Sequence, residues 1–93
     1  MATHMVICTF RPGTVMDDVS AVVTEDEAQV AARERDGRLG SVHLSLERGT
    51  VFLGVFADDP AGAGETVHTL PMAAWWDLDV LPIAPAVIAG ARS

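Results

Sequence analysis

The spacing of apolar residues changes along the chain, and each change marks an element. Met5 to Phe10, "MVICTF", is a short apolar run rich in strand formers and closed by Arg11-Pro12-Gly13, which predicts a buried strand. Residues 1–4, "MATH", carry no periodic pattern and are set aside as a disordered start or an appended remnant. Thr14 is placed to cap a helix, with Asp17 in its first turn. From there to Asp36, Val19, Val22, Val23 and Val30 recur at helical spacing, and Gly37 supplies the terminator. The apolar stripe has a gap four residues after Val22 and four before Val30, and Asp26 fills it. A carboxylate therefore points toward the side that should be buried.

"LGSVHLSLE" alternates: Val42, Leu44 and Leu46 take one face, and Ser41, His43, Ser45 and Glu47 take the other. Arg48-Gly49 signals a tight turn, and "TVFLGVFA" follows as a strand apolar on both faces. Asp59 as N-cap and Pro60 at the first position open a second helix, weakened by Gly62 and Gly64 and ended by Leu70-Pro71. "DLDVLPI" closes the pattern as a strand, with Leu78 and Val80 alternating against Asp77 and Asp79. The order β-α-β-β-α-β is that of a ferredoxin-like α+β domain, an antiparallel sheet with two helices on one face. A third strand apolar on both sides needs cover on the other face as well. Two sheets packed face to face would supply it, giving a dimeric α/β barrel.

Composition narrows the function. The 93 residues make a single domain. Apolar residues are 49% of the chain, rich for a small monomer, which points again to a partner subunit. The net charge is −7 and lysine is absent, an unfavourable balance for binding nucleic acid or an anionic membrane. No apolar run is long enough to span a bilayer, and no signal peptide is read at the N-terminus, so a cytoplasmic protein is expected. The lone Cys8 rules out an intrachain disulfide and reads as a buried thiol. The three histidines form no spaced pair, so no metal site is expected. Phosphate-binding loops and a GxSxG elbow are also missing from the sequence.

The segment "LPMAAWWDLDVLPIA", residues 70–84, resembles the C-terminal signature of the muconolactone δ-isomerase family. Leu70, Pro71, Trp75, Asp77, Leu78, Asp79, Val80, Pro82, Ile83 and Ala84 fill ten of its fifteen places. The resemblance implies a dimeric barrel, often built into larger rings, and a cofactor-free isomerase that moves a double bond in a small lactone by proton transfer. It also implies a helix-one acid, which falls at or beside Asp26. The chain departs from the family where strand two carries basic and aromatic side chains: here stands "LGSVHLSLER", and only His43 keeps an imidazole. Ala74 replaces a proline that often precedes the aromatic. A roomier, less cationic pocket favours a larger or neutral substrate, because a ligand carboxylate would want an arginine partner.

Two readings therefore stand. One is an isomerase-like enzyme on a small lactone or other enolisable cyclic compound, with a polyketide-type cyclase or tailoring enzyme as a variant. The other is a non-catalytic small-molecule-binding or assembly module. In the first, Asp26 is the base, and His43 or His68 stabilises the enolate or returns the proton. Ser41, Trp75 and Trp76 would contact substrate. Each has a plainer reading. Asp26, flanked by Glu25 and Glu27, could belong to a solvated acidic run. His43 could be an ordinary strand histidine, and His68 could complement the end of its helix. Consecutive tryptophans face different ways, so one suits the core and the other a pocket wall or subunit contact.

Overall fold

The structure, a computed structural model, describes residues 2–45 and 47–84. Met1 and Leu46, which enter the sequence reading, lie outside the described residues. The elements are β1 (Ala2–Phe10), α1 (Met16–Ser20), α2 (Val23–Arg35), β2 (Leu39–Ser45), β3 (Thr50–Ala57), α3 (Pro60–His68), a 3-10 turn (Pro71–Trp75) and β4 (Trp76–Ile83). The strands form one antiparallel sheet in the order β2-β3-β1-β4. This small α+β arrangement is compatible with a ferredoxin-like fold. It departs from the simple element order in a first helix broken in two and in the added 3-10 turn.

The break is a correction to the sequence reading. Thr14 does not cap the helix: its hydroxyl donates to the Arg11 carbonyl at 2.6 Å, and Val15 takes the N-cap place without a side-chain bond. The helix then interrupts at Ala21 and Val22, where Val22 leaves helical geometry. The adjacent β-branched Val22 and Val23 are weak helix formers, because the preceding turn restricts their side-chain rotation. The other end follows expectation. Gly37 adopts φ +76°, its N–H donates to the Glu34 carbonyl, and the Arg38 N–H donates to that of Arg33. This pair of bonds is a Schellman closure, which requires a left-handed residue. At α3, Asp59 Oδ1 accepts from Gly62 N at 2.7 Å, with Pro60 next to it.

The sheet has two unlike faces. Val6, Cys8, Leu53 and Val55 share one parity, are almost completely buried, and cluster with Ala63 and Val67 of α3, Leu70 and Trp76. The opposite parity carries Met5, Ile7, Phe52 and Phe56, which are only partly buried, with exposed Leu81 and Ile83 beside them on β4. Residues 2–4 are a second correction. They are strand, with Ala2 paired to Ala57 and Thr3 to Phe56 and Ile83, and His4 is 2% exposed. A ladder satisfies backbone groups whatever the side chains, so a strand can begin before its apolar pattern does.

Crowding at the sheet edge gives a test. A Cβ placed on Gly40 would lie 2.8 Å from the Phe56 ring. Gly40→Ala should therefore cost about 1–3 kcal/mol by overpacking. In a Phe56→Ala background most of that cost should vanish in denaturant unfolding. Equal costs in both backgrounds would assign the penalty to the bulge between Leu39 and Ser41 and not to the ring.

Candidate functional site

A cleft of about 470 Å³ opens between the helix-facing side of the sheet and the α1–α2 pair. Val51 and Leu53 of β3 form its floor, and the exposed Val42 and Leu44 of β2 its rim. Met16 and Val19 of α1 and Val23 and Val30 of α2 line the opposite wall. Phe10, Met72 and Trp76 close one end, and the Phe10 and Trp76 rings meet edge to face with centroids 6.1 Å apart. Among these apolar groups stand two acids, Asp26 and Glu27, and the hydroxyl residue Ser20.

Asp26 is the buried member of its acidic trio, at 8% exposure, while Glu25 and Glu27 are exposed. Its Oδ1 accepts a hydrogen bond from the Met72 amide at 3.1 Å. No other hydrogen bond to this carboxyl is present among the described residues. Burial pushes the Asp26 pKa above the usual carboxyl value; the Met72 amide offsets part of that rise, and the nearby Glu27 charge adds to it. The carboxyl thus borders the cleft as a buried acid with a raised pKa and with one oxygen not bonded to the fold among the described residues.

The segment that holds Met72 is gripped from its other side by Arg11. The Arg11 backbone N–H donates to the Trp75 carbonyl at 2.9 Å, and its guanidinium donates to the carbonyls of Trp76, at 3.1 Å, and Ala74. Asp77 lies 3.8 Å from the same guanidinium. Trp76 is buried and borders the cleft, and its indole Nε1 has no partner among the described residues. Trp75 is half-buried in the 3-10 turn.

Of the side chains proposed from sequence, the cleft gathers Asp26 and Trp76 and leaves out His43, His68, Ser41 and Trp75. His43 pairs with Phe52 and shares its parity, so it belongs to the other face of the sheet and is exposed there. Ser41 has the same parity, and its hydroxyl fills the space over Gly54. His68 is exposed, with Nδ1 2.8 Å from the Gly64 carbonyl, which ties it to its own helix end. Within one chain neither imidazole shares a cavity with Asp26. Sequence reasoning missed Met72, which acts through its backbone, and Arg11, read only as part of a turn. Val42 and Leu44 carried a readable signal, since they alternate against His43.

A larger hollow, about 620 Å³, lies between α3 and the β2–β3 edge and is lined by Asp36, Arg38, Asp58 and Glu65 among others. All four are exposed, so the smaller cleft, with its buried carboxyl, is the stronger candidate. Among the described residues no group of His, Cys, Asp and Glu is disposed to hold a metal ion, and no helix is long and apolar enough to cross a membrane. Burial pushes the Cys8 thiol up to about 12, which makes it a poor nucleophile. A scan against protein-family models and a search of curated proteins each found no match.

The Asp26 pKa has a consequence for stability. A carboxyl whose folded-state pKa is raised above its unfolded value favours folding in its protonated form. Its contribution is complete below the unfolded value, near 3.8, and is lost as pH climbs through the folded one. Asp26→Asn keeps an oxygen acceptor for Met72 and cannot ionise. The melting temperature of Asp26→Asn relative to the parent should therefore rise as pH goes from about 4 to about 7. A difference that stays flat over that range would show that the carboxyl is not held in a desolvating site.

Proposed function

We propose that this protein is a cofactor-independent proton-transfer enzyme, an isomerase that moves a double bond in a small lactone or other enolisable cyclic compound. The observation that carries the reading is a buried carboxyl of raised pKa in an otherwise apolar cleft. The muconolactone δ-isomerase-like signature of residues 70–84 supports it, because Met72 within that segment bonds the proposed base. In this reading the Asp26 carboxylate takes a proton from the carbon next to a carbonyl. The C–H pair stays on the substrate as an enolate, and the carboxyl returns the proton at a different carbon. The Trp76 indole N–H, buried and without a partner among the described residues, is the proposed donor for the enolate oxygen once the end wall of the cleft gives way.

The working unit of this proposal is a homodimer joined through the sheet face that carries Met5, Ile7, Phe52 and Phe56. Those apolar side chains keep part of their surface exposed, and a chain of 9.8 kDa gains by burying the rest. A dimeric barrel leaves the Asp26 cleft on the outer side of each sheet. The Asp26–Met72 bond also favours the alternative of a binding module, in which the carboxyl is only a structural tie.

Two measurements test these statements. The isomerisation of α-angelica lactone in deuterated buffer, followed by proton NMR, should be accelerated by the protein. Asp26→Asn should lower that rate by about 10²–10⁴-fold with the fold intact, the usual share of general acid–base catalysis. Equal rates for parent, Asp26→Asn and Glu27→Gln would remove helix α2 as the source of the base. Sedimentation at micromolar concentration should give twice the chain mass, and Phe52→Glu should halve it. A parent protein that sediments as a monomer would end the dimeric-barrel reading.

A further inference from the structure

We propose that the Asp26 cleft selects an uncharged, ring-bearing ligand with one hydrogen-bonding head and excludes its carboxylate-bearing counterparts. This rests on reading the cleft as the substrate site, and it adds what that site admits.

Three features lead there. The first is charge. Among the described residues the cleft is lined by two acids and by no cation. Among the described residues, Arg11 is turned to the Ala74 and Trp76 carbonyls, Arg33 lies 3.2 Å from Asp36, Arg38 borders the separate hollow beside α3, and Arg35 and Arg48 are exposed outside the lining. An anion entering the cleft would meet the Glu27 carboxylate, and that of Asp26 when it is ionised, with no lining cation among the described residues to offset them, and like charges brought together are unfavourable. The second is hydrogen-bonding capacity. Met72 occupies one oxygen of Asp26, so the carboxyl has one oxygen left for a ligand hydroxyl or an acidic C–H. Ser20 adds one hydroxyl and Glu27 a second carboxyl, the Trp76 N–H lies buried behind the wall without a partner among the described residues, and the remaining lining residues give aliphatic, thioether and aromatic contact. The third is size. About 470 Å³ falls in the range of roughly 300–1,000 Å³ that holds drug-sized ligands, room for two or three fused rings. The edge-to-face Phe10–Trp76 pair supplies an aromatic corner for such a skeleton.

The probes are 2-naphthol, a neutral two-ring mimic of an enol, and 2-naphthoate, the same skeleton with a carboxylate. Each is titrated into the full chain at neutral pH and followed by ¹H–¹⁵N NMR. Naphthol should move the Met72 amide and the Trp76 indole N–H, and naphthoate should bind at least about tenfold more weakly, as expected for like charges in contact. Naphthoate binding in the cleft as tightly as naphthol would overturn the proposal. So would naphthol shifts confined to the Phe52 face of the sheet, or an absence of shifts with both probes. Leu44→Arg places a cation at the exposed rim and should bring naphthoate to within about tenfold of naphthol. Naphthoate still shut out of that variant would mean that charge is not what excludes it. None of these readouts depends on turnover. Naphthol selectivity without any lactone isomerisation would therefore uphold the ligand class while removing the enzymatic reading.

Discussion

A single hydrogen bond, from the Met72 amide to the Asp26 carboxyl, joins parts of the chain that are 46 residues apart in sequence. It runs from α2 to the 3-10 turn that leads into β4. Without it α2 would keep few polar reasons to hold Asp26 inward, and the turn would lose the anion at its N-terminal end. The bond also sets the chemistry, because it pulls the carboxyl pKa down while burial pushes it up. Together with the Glu27 charge, those two effects set how far the pKa is raised, so fold and reactivity meet at the same pair of atoms.

The tie would be weak if the turn itself could drift. Arg11 prevents that by holding three successive carbonyls, at Ala74, Trp75 and Trp76, from the end of β1. The turn is thus fixed from the helix side by a carboxyl and from the strand side by a guanidinium and a backbone N–H. Trp76, anchored in this way, packs its ring against Phe10 and closes the cleft. Residues 70–76 serve both as a corner of the fold and as the end wall of the cavity.

Much of this was written in the pattern of apolar positions. The antiparallel hairpin, the Gly37 stop and the Asp59-Pro60 start follow from local rules, and the structure shows each of them. Asp26 could be located because a carboxylate in an apolar stripe breaks the period. The break between α1 and α2 was hidden, because the spacing from Val19 to Val30 suits one straight helix, and only the low helical preference of Val22-Val23 argued otherwise. Met72 was invisible for a different reason: its part is played by a backbone amide, which every residue but proline possesses. His43 was chosen for its imidazole although its alternation with Val42 and Leu44 placed it on the opposite face. His4 was set aside for want of a pattern, yet it lies in the sheet interior beside Val55 and Pro82.

The sealed position of Cys8 has a practical meaning. It lies in the central strand with no exposed surface, and its thiol is held far from ionisation at neutral pH. A thiol reagent can reach it only when β1 parts from its neighbours, and the reacting thiolate forms readily only once the sulfur meets water. The rate of Cys8 alkylation is then a clock for opening of the core. With one cysteine in the sequence, that clock has a single hand.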